Sequence, residues 1–382
     1  MVIIQNLKVL LLKLILKHIF LSLIFLIVSD IYSQNVFVSY YPETKKIRES
    51  FEGLVNNGDT VKDGAYKIYH NNDSLWQSGF FRKDTLNGQW LDYFPNGRLK
   101  QKLYFKDGLL EDTSLSFYES GGIYQINIYK RDSLNGNCLT YFKNGLLKEE
   151  NYYLKNLKNG EQKSYYENGN IKDSYNMLNG KKFGKYIGYY KNKNNQIQKV
   201  CNYNKTGLEG KLIGYYESGN KMNESIFNND TIIGEYKEYF DTSLVILSVF
   251  GHYKNGGKHG DWQWNYPNGE TYVIGVYNNS LRTKEWKIYY PNQKLKQKGS
   301  FLLGKENGKW MFYGEDGNLN LIGYYSNATR VGQWTGYHSI NKIKSISFYH
   351  KGKKNGMAYG YDLSGKLIET GFFVDGKIYY SN

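Results

Sequence analysis

The stretch GQWLDYFPNGRLKQKLYFKDG (Gly88–Gly108) decides the fold. Its apolar and aromatic residues alternate with polar ones at a period of two, not 3.6, which is the pattern of a strand and not of a helix. Gln89–Phe94 reads as one strand. Pro95-Asn96-Gly97 reads as a turn, since Asn-Gly supplies the positive φ that a tight hairpin needs. Arg98–Phe105 is the returning strand, and Lys106-Asp107-Gly108 begins the connection to the next hairpin.

Outward from this stretch the same unit repeats. With Gly88 as position zero, equivalent starts fall at Gly64, Asp112, Gly136, Gly160, Gly184, Gly210, Gly234, Gly260, Lys284, Gly308, Gly332 and Gly356. The spacing is 24 residues apart from two intervals of 26, and eleven of the thirteen starts are glycine, so the register is not chance. Five residues on stand Tyr69, Tyr93, Tyr141, Tyr165, Tyr189, Tyr215, Tyr239, Tyr289, Tyr313, Tyr337 and Tyr361. Two residues on stand Trp90, Trp262, Trp286, Trp310 and Trp334, replaced elsewhere by residues such as Tyr66, Tyr186 and Tyr236. Turn glycines recur nine residues on at Gly97, Gly145, Gly169, Gly219, Gly269, Gly317 and Gly365. A closing aromatic slot holds residues such as Phe81, Phe105, Tyr253, Tyr277, Phe301, Tyr325 and Phe373.

A single hairpin is marginal in water. Side-by-side repetition lets each unit bury its aromatic slots against its neighbours, with each equivalent slot expected to meet its own kind in the adjacent copy. Tyrosine is abundant at 39 residues and glycine at 41, while proline is scarce at 4, a composition of short strands and tight turns. The expected architecture is all-β: an elongated single antiparallel sheet solenoid of about thirteen tandem 24-residue hairpins. Residues 34–382 read as one repeat array, with a capping partial repeat at 35–63 and full repeats over 64–382.

Residues 1–33 read differently. Lys8, Lys13, Lys17 and His18 precede the uncharged run IFLSLIFLIV (Ile19–Val28), and Ser33 stands before Gln34. That is the layout of a secretory signal peptide, with an uncleaved inner-membrane signal anchor as the alternative. The expected destination is periplasmic, outer-membrane-associated or secreted. The formal charge is +15, and +13 remains without the first 33 residues. Such an excess suits acidic partners such as anionic lipid or lipopolysaccharide, and equally serves to keep an exposed sheet soluble and its edges unpaired. Cys138 and Cys201 stand several strands apart in the repeat register, so no disulfide between them is expected.

The repeat pattern G-x-W-x-x-Y-[YF]-x-N-G resembles MORN repeats, in the variant found in bacterial YwqK-family antitoxin-like proteins. The segments that carry it are GQWLDYFPNG (Gly88–Gly97), GEQKSYYENG (Gly160–Gly169), GDWQWNYPNG (Gly260–Gly269) and GKWMFYGEDG (Gly308–Gly317). The resemblance implies interaction roles, including lipid contact, scaffolding or neutralisation of a partner toxin, and no catalysis by the repeats.

Motifs for chemistry are lacking. No nucleophile elbow, phosphate loop or His-Glu-x-x-His stretch occurs. His70 and His338 follow the recurrent tyrosine slot and read as aromatic substitutes. His252, His259 and Asp261 read as a solvated connection and not as a zinc site. The reading is therefore a non-enzymatic protein with no cofactor and no metal. Its expected partner is a protein, including an exported toxin. The alternative partner is an anionic lipid or polysaccharide surface. Export and the absence of a recognised module weigh against nucleic acid.

Overall fold

A computed structural model describes residues 35–56, 58–192, 195–242, 244–338 and 342–381. The expected signal peptide, residues 1–33, lies outside the described residues. All regular structure among the described residues is β-strand, and the chain divides into two compact units, one ending at Gly145 and the other beginning at Leu146. In the first unit, Asn35–Tyr40 pairs with Ile47–Asn56, which pairs with Asp59–Tyr69, which pairs with Leu75–Arg82, and the antiparallel meander runs on to Gly136–Tyr141. In the second, the same meander runs from Leu147–Leu154 to Lys377–Ser381. The all-β architecture of tandem antiparallel hairpins is the one the sequence leads one to expect.

Two kinds of turn alternate, and neither is quite what the sequence reading assigns. In the Pro95–Gly97 turn, Phe94 N donates to Arg98 O and Gly97 N to Phe94 O, both at 2.8 Å. Gly97 alone takes the left-handed conformation, at φ 81°, while Asn96 uses its carboxamide oxygen to accept the Arg98 N–H at 3.0 Å. Asparagine and glycine thus divide the work: one holds the loop and the other bends it. The Lys106-Asp107-Gly108 segment is more than the start of a connection. Lys106 pairs with Leu109, and Asp107 and Gly108 have φ of 50° and 81°, which makes a complete two-residue type I′ hairpin turn.

The recurrent start glycines are not turn residues. Gly308 lies inside the strand Lys305–Tyr313, where Ser300 pairs with Asn307 but the neighbouring Gly299 pairs with Trp310. Gly308 and Lys309 are therefore the extra residues of a β-bulge, which re-aims the strand. The bulge needs a left-handed residue: φ is 78° at Gly308, 73° at Gly260 and 64° at Gly332. The two non-glycine starts, Asp112 and Lys284, are held in the same region at 63° and 56°.

Hydrogen bonds between successive repeats run along both margins of the sheet. On one, a tyrosine six residues past the start donates its hydroxyl to the backbone carbonyl of the recurrent tyrosine in the next copy. Examples are Tyr118 to Tyr141 O at 2.7 Å, Tyr166 to Tyr189 O at 2.9 Å and Tyr266 to Tyr289 O at 2.8 Å. On the other, type I′ turns donate to a strand of the preceding copy, as from Gly304 N to Arg282 O at 2.9 Å and Gly352 N to Arg330 O at 3.0 Å.

Candidate functional site

The side chains that distinguish this chain gather on one face of the second unit, between Gly251 and Tyr349. The face is set by pairing. Trp310 stands opposite Gly299, Phe312 opposite Gln297, and Glu306 opposite Phe301. Trp286 stands opposite Gly299 on the other side. Tryptophans of consecutive copies lie two strands apart, about 10 Å, beyond direct ring contact.

The expectation that equivalent slots touch holds for Tyr66 with Trp90 at 5.5 Å and for Tyr236 with Trp262 at 5.9 Å, but between the tryptophans of this tract it is corrected: the closing aromatics of the intervening strands bridge them. Trp262, Tyr277, Trp286, Phe301, Trp310, Tyr325, Trp334 and Tyr349 form an unbroken edge-to-face series with centroids 5.1 to 5.9 Å apart. Each such pair adds about 0.5–1.5 kcal/mol beyond area burial. Trp264 and Phe312 tilt against Trp286 and Trp334 as a second row. The ring contacts among the described residues include none of the tyrosines at the recurrent fifth position, from Tyr69 to Tyr361. Many of those tyrosines, Tyr141, Tyr189 and Tyr289 among them, are linked through their carbonyls, which accept the bonds along the sheet margin.

A glycine lies beneath every tryptophan of the slot. A Cβ on Gly79, Gly251, Gly275, Gly299 or Gly323 would collide with the indole of Trp90, Trp262, Trp286, Trp310 or Trp334 respectively. The indoles lie flat on bare backbone; Trp90 is half-buried and the other four are buried, Trp262 at 1% exposed and Trp310 at 5%. Each of these glycines stands eleven residues before its tryptophan, a signal present in the sequence and missed by a reading that aligned glycines by repeat start and turn position. Where the earlier slot is large, the later one shrinks, as with Leu103 and Ser114.

Cations lie over the rings. Lys258 Nζ is 4.2 Å from the Trp262 ring centre, the Arg282 guanidinium 4.8 Å from Trp286 and the Arg330 guanidinium 4.3 Å from Trp334. Desolvation against the rings pulls the Lys258 ammonium below the usual lysine range, although Glu238 opposes the shift; Arg282 adds to it. A cleft of about 430 Å³ opens along this face, lined by Arg282, Trp286, Gln297, Phe301, Glu306, Trp310, Phe312 and Tyr325 among others. The opposite face instead carries lysines matched to glutamates two residues earlier: Lys163 to Glu161 at 2.9 Å, Lys237 to Glu235 at 2.9 Å and Lys287 to Glu285 at 3.1 Å.

The remaining candidates are structural in geometry. His338 takes the place of a margin tyrosine and keeps its bond, with Nε2 3.0 Å from Tyr361 O; since a carbonyl only accepts, Nε2 bears the proton. His70 stacks on Trp76 at 5.2 Å. His252 and His259 pair across adjacent strands, and no group of metal-ligating side chains forms among the described residues. Cys138 and Cys201 are free and buried, and burial raises both thiols above the usual cysteine range.

Four segments, residues 86–107, 158–179, 258–279 and 282–302, match the MORN repeat variant. Three of the four segments quoted above fall inside them, and Gly308–Gly317 falls outside. Comparison with curated proteins gave no match. Among solved structures, a TcdB2–TccC3–Cdc42 crystal structure is similar over 91% of this chain and 26% of that one, at 11% identity and a TM-score of 0.16. The Photorhabdus luminescens Tc holotoxin pore aligns over 90% of this chain and 19% of that one, at 11% identity and a TM-score of 0.16. This chain thus spans about a quarter or less of those chains, and likeness at that level carries no argument about what it does.

Proposed function

We propose that the chain is a non-enzymatic, protein-binding repeat scaffold whose contact surface is the aromatic face between Gly251 and Tyr349. The observation that carries this reading is the cleft of about 430 Å³, walled by indoles and rings and edged by Arg282 and Glu306. Tryptophan, tyrosine and arginine in desolvated pockets are the residues that dominate protein–protein binding energy. A scaffold on which every ring is braced by its neighbours presents them at low entropic cost.

The finer reading follows the resemblance to YwqK-family antitoxin-like proteins: an exported chain that engages a protein partner, including an exported toxin. Its test is affinity purification from the native envelope with the full chain and with Tyr272→Ser, which alters a cleft residue that is 40% exposed. A partner held by the natural chain and released by the variant is expected. Retention of every captured partner by the variant would move the contact surface elsewhere. Salt-sensitive sedimentation with anionic vesicles, unchanged by Tyr272→Ser, would instead favour the lipid or polysaccharide surface. N-terminal sequencing of the exported chain should start after Ser33; a chain beginning at Met1 would favour the signal anchor.

A further inference from the structure

The row of cations on the aromatic face has one reversal. Two residues before the start position stand Lys258, Arg282, Glu306 and Arg330 in four successive copies. In three of them the side chain lies over the tryptophan four residues on. In the fourth the side chain is a carboxylate. Among the described residues no cation lies over Trp310, and the Glu306 carboxylate takes part in no hydrogen bond or ion pair. Arg282 and Arg330, which flank it, are each spread over the rings of their own copy. Glu306 is half-buried, pairs with Phe301 across the strands and lines the cleft with Trp310, Phe312 and Tyr325.

We propose that this cleft is a cation subsite that takes a lysine or arginine side chain of a bound peptide. This rests on the protein-binding reading and names the chemistry it selects. The charge complementarity is local and specific. The three other copies of this tract supply their own cation to the ring system, and here the chain supplies a counter-charge in its place. An incoming ammonium or guanidinium would stand against the aromatic walls and neutralise Glu306, gaining both a cation–π and a charge-assisted contact. Gln297, opposite Phe312, offers a neutral amide at the floor of the same cleft. A neutral or acidic side chain would gain neither contact, and the excess positive charge of the chain gives general attraction to acids, not to bases. A basic ligand held here is therefore held by the site itself.

The test selects peptides from a random dodecapeptide display library on the full chain and measures the synthetic winners by fluorescence anisotropy. Expected winners share a lysine or arginine. Replacing it with norleucine weakens binding about tenfold, Glu306→Gln does the same, and the two changes together cost little more than either alone. Glu306→Lys, which restores the cation pattern of the flanking copies, abolishes binding while melting remains unchanged. Winners that lose binding in Tyr272→Ser but carry no basic residue, or ignore Glu306→Gln, would overturn the cation subsite and leave the scaffold reading standing. A selection whose winners are all indifferent to Tyr272→Ser would overturn both.

Discussion

Two stretches of the second unit fill the same repeat slots in opposite ways. Between Gly251 and Tyr349 the slot above the sheet is tryptophan and the slot beneath it is glycine. Between Asp173 and Phe227 the corresponding pairs are Tyr175 with Tyr186 and Cys201 with Leu212. Tyr186, Cys201 and Leu208 form a small buried cluster there, with Tyr203 and Phe227 packed against it. The phenol brings a polar handle that must be satisfied, and Tyr186 donates its hydroxyl to Asp173. Tyr236 does the same with Glu238. Two of the indoles on bare backbone reach a carbonyl instead: Trp262 Nε1 donates to His252 O and Trp286 Nε1 to Val276 O, each at 3.2 Å, whereas the buried Nε1 atoms of Trp310 and Trp334 have no hydrogen-bond partner among the described residues. The Tyr186 and Tyr236 phenols thus draw a carboxylate, whereas the Trp262 and Trp286 indoles draw a main-chain oxygen.

Removing the largest ring tests that contrast most strongly. Trp262→Ala should cost about 3–5 kcal/mol, because the side chain is fully covered and touches the rings of Tyr253, Tyr277 and Trp264. Leu212→Ala, at the same slot in the other stretch, should cost closer to about 2 kcal/mol. Urea melts of both variants read the difference, and equal costs would deny the tract its special packing.

Adding volume beneath the ring should cost nearly as much. Gly299→Val is expected to destabilise by about 2–3 kcal/mol through collision with Trp310. Much of that cost should vanish on a Trp310→Ala background, giving a coupling of at least about 1 kcal/mol in a double-mutant cycle. Additive costs would show that glycine is there for another reason.

Alkaline pH should loosen the tyrosine-filled slots first. Burial, followed by the bond to a carboxylate, pushes the Tyr186 and Tyr236 phenols well above the usual tyrosine range, and the Tyr66 phenol up to about 12. A raised folded value means that the contribution is fully present below the unfolded value, roughly 10, and is lost as pH rises through the folded one. Hydrogen exchange followed by mass spectrometry above pH 10 should show loosening around Tyr186 and Tyr236 before the 286–334 tract. Tyr186→Phe should blunt it locally.

A smaller gain is expected from repairing the one irregular bulge in the tract. Lys284 is held at φ 56° where other copies have glycine, so Lys284→Gly should stabilise by about 1 kcal/mol. At the margin, Tyr266→Phe removes one hydroxyl bond to Tyr289 O and should cost about 1 kcal/mol or less.

Much of this was legible in the residues. The period of two, the turn glycines such as Gly97 and the 24-residue register name the strands and hairpins directly, because strand alternation and left-handed glycine are local properties of the chain. The glycine–tryptophan pairing at a separation of eleven was also written there, but it is cross-strand. It becomes visible only once the bulge shifts the register so that Gly299 faces Trp310. For the same reason a glycine such as Gly308 reads as the start of a repeat in one dimension and stands inside a strand in three.

The sequence by itself determined that the chain is a run of hairpins, since each hairpin is encoded within a couple of dozen residues. Only the tertiary structure decided which aromatics meet, that cations cap three of the four tryptophans of the recurrent slot in the tract, and that Glu306 stands where the fourth cation would be. Those facts depend on pairing between strands and on which face each side chain takes after a bulge. A shift of a single residue in register would reverse them all.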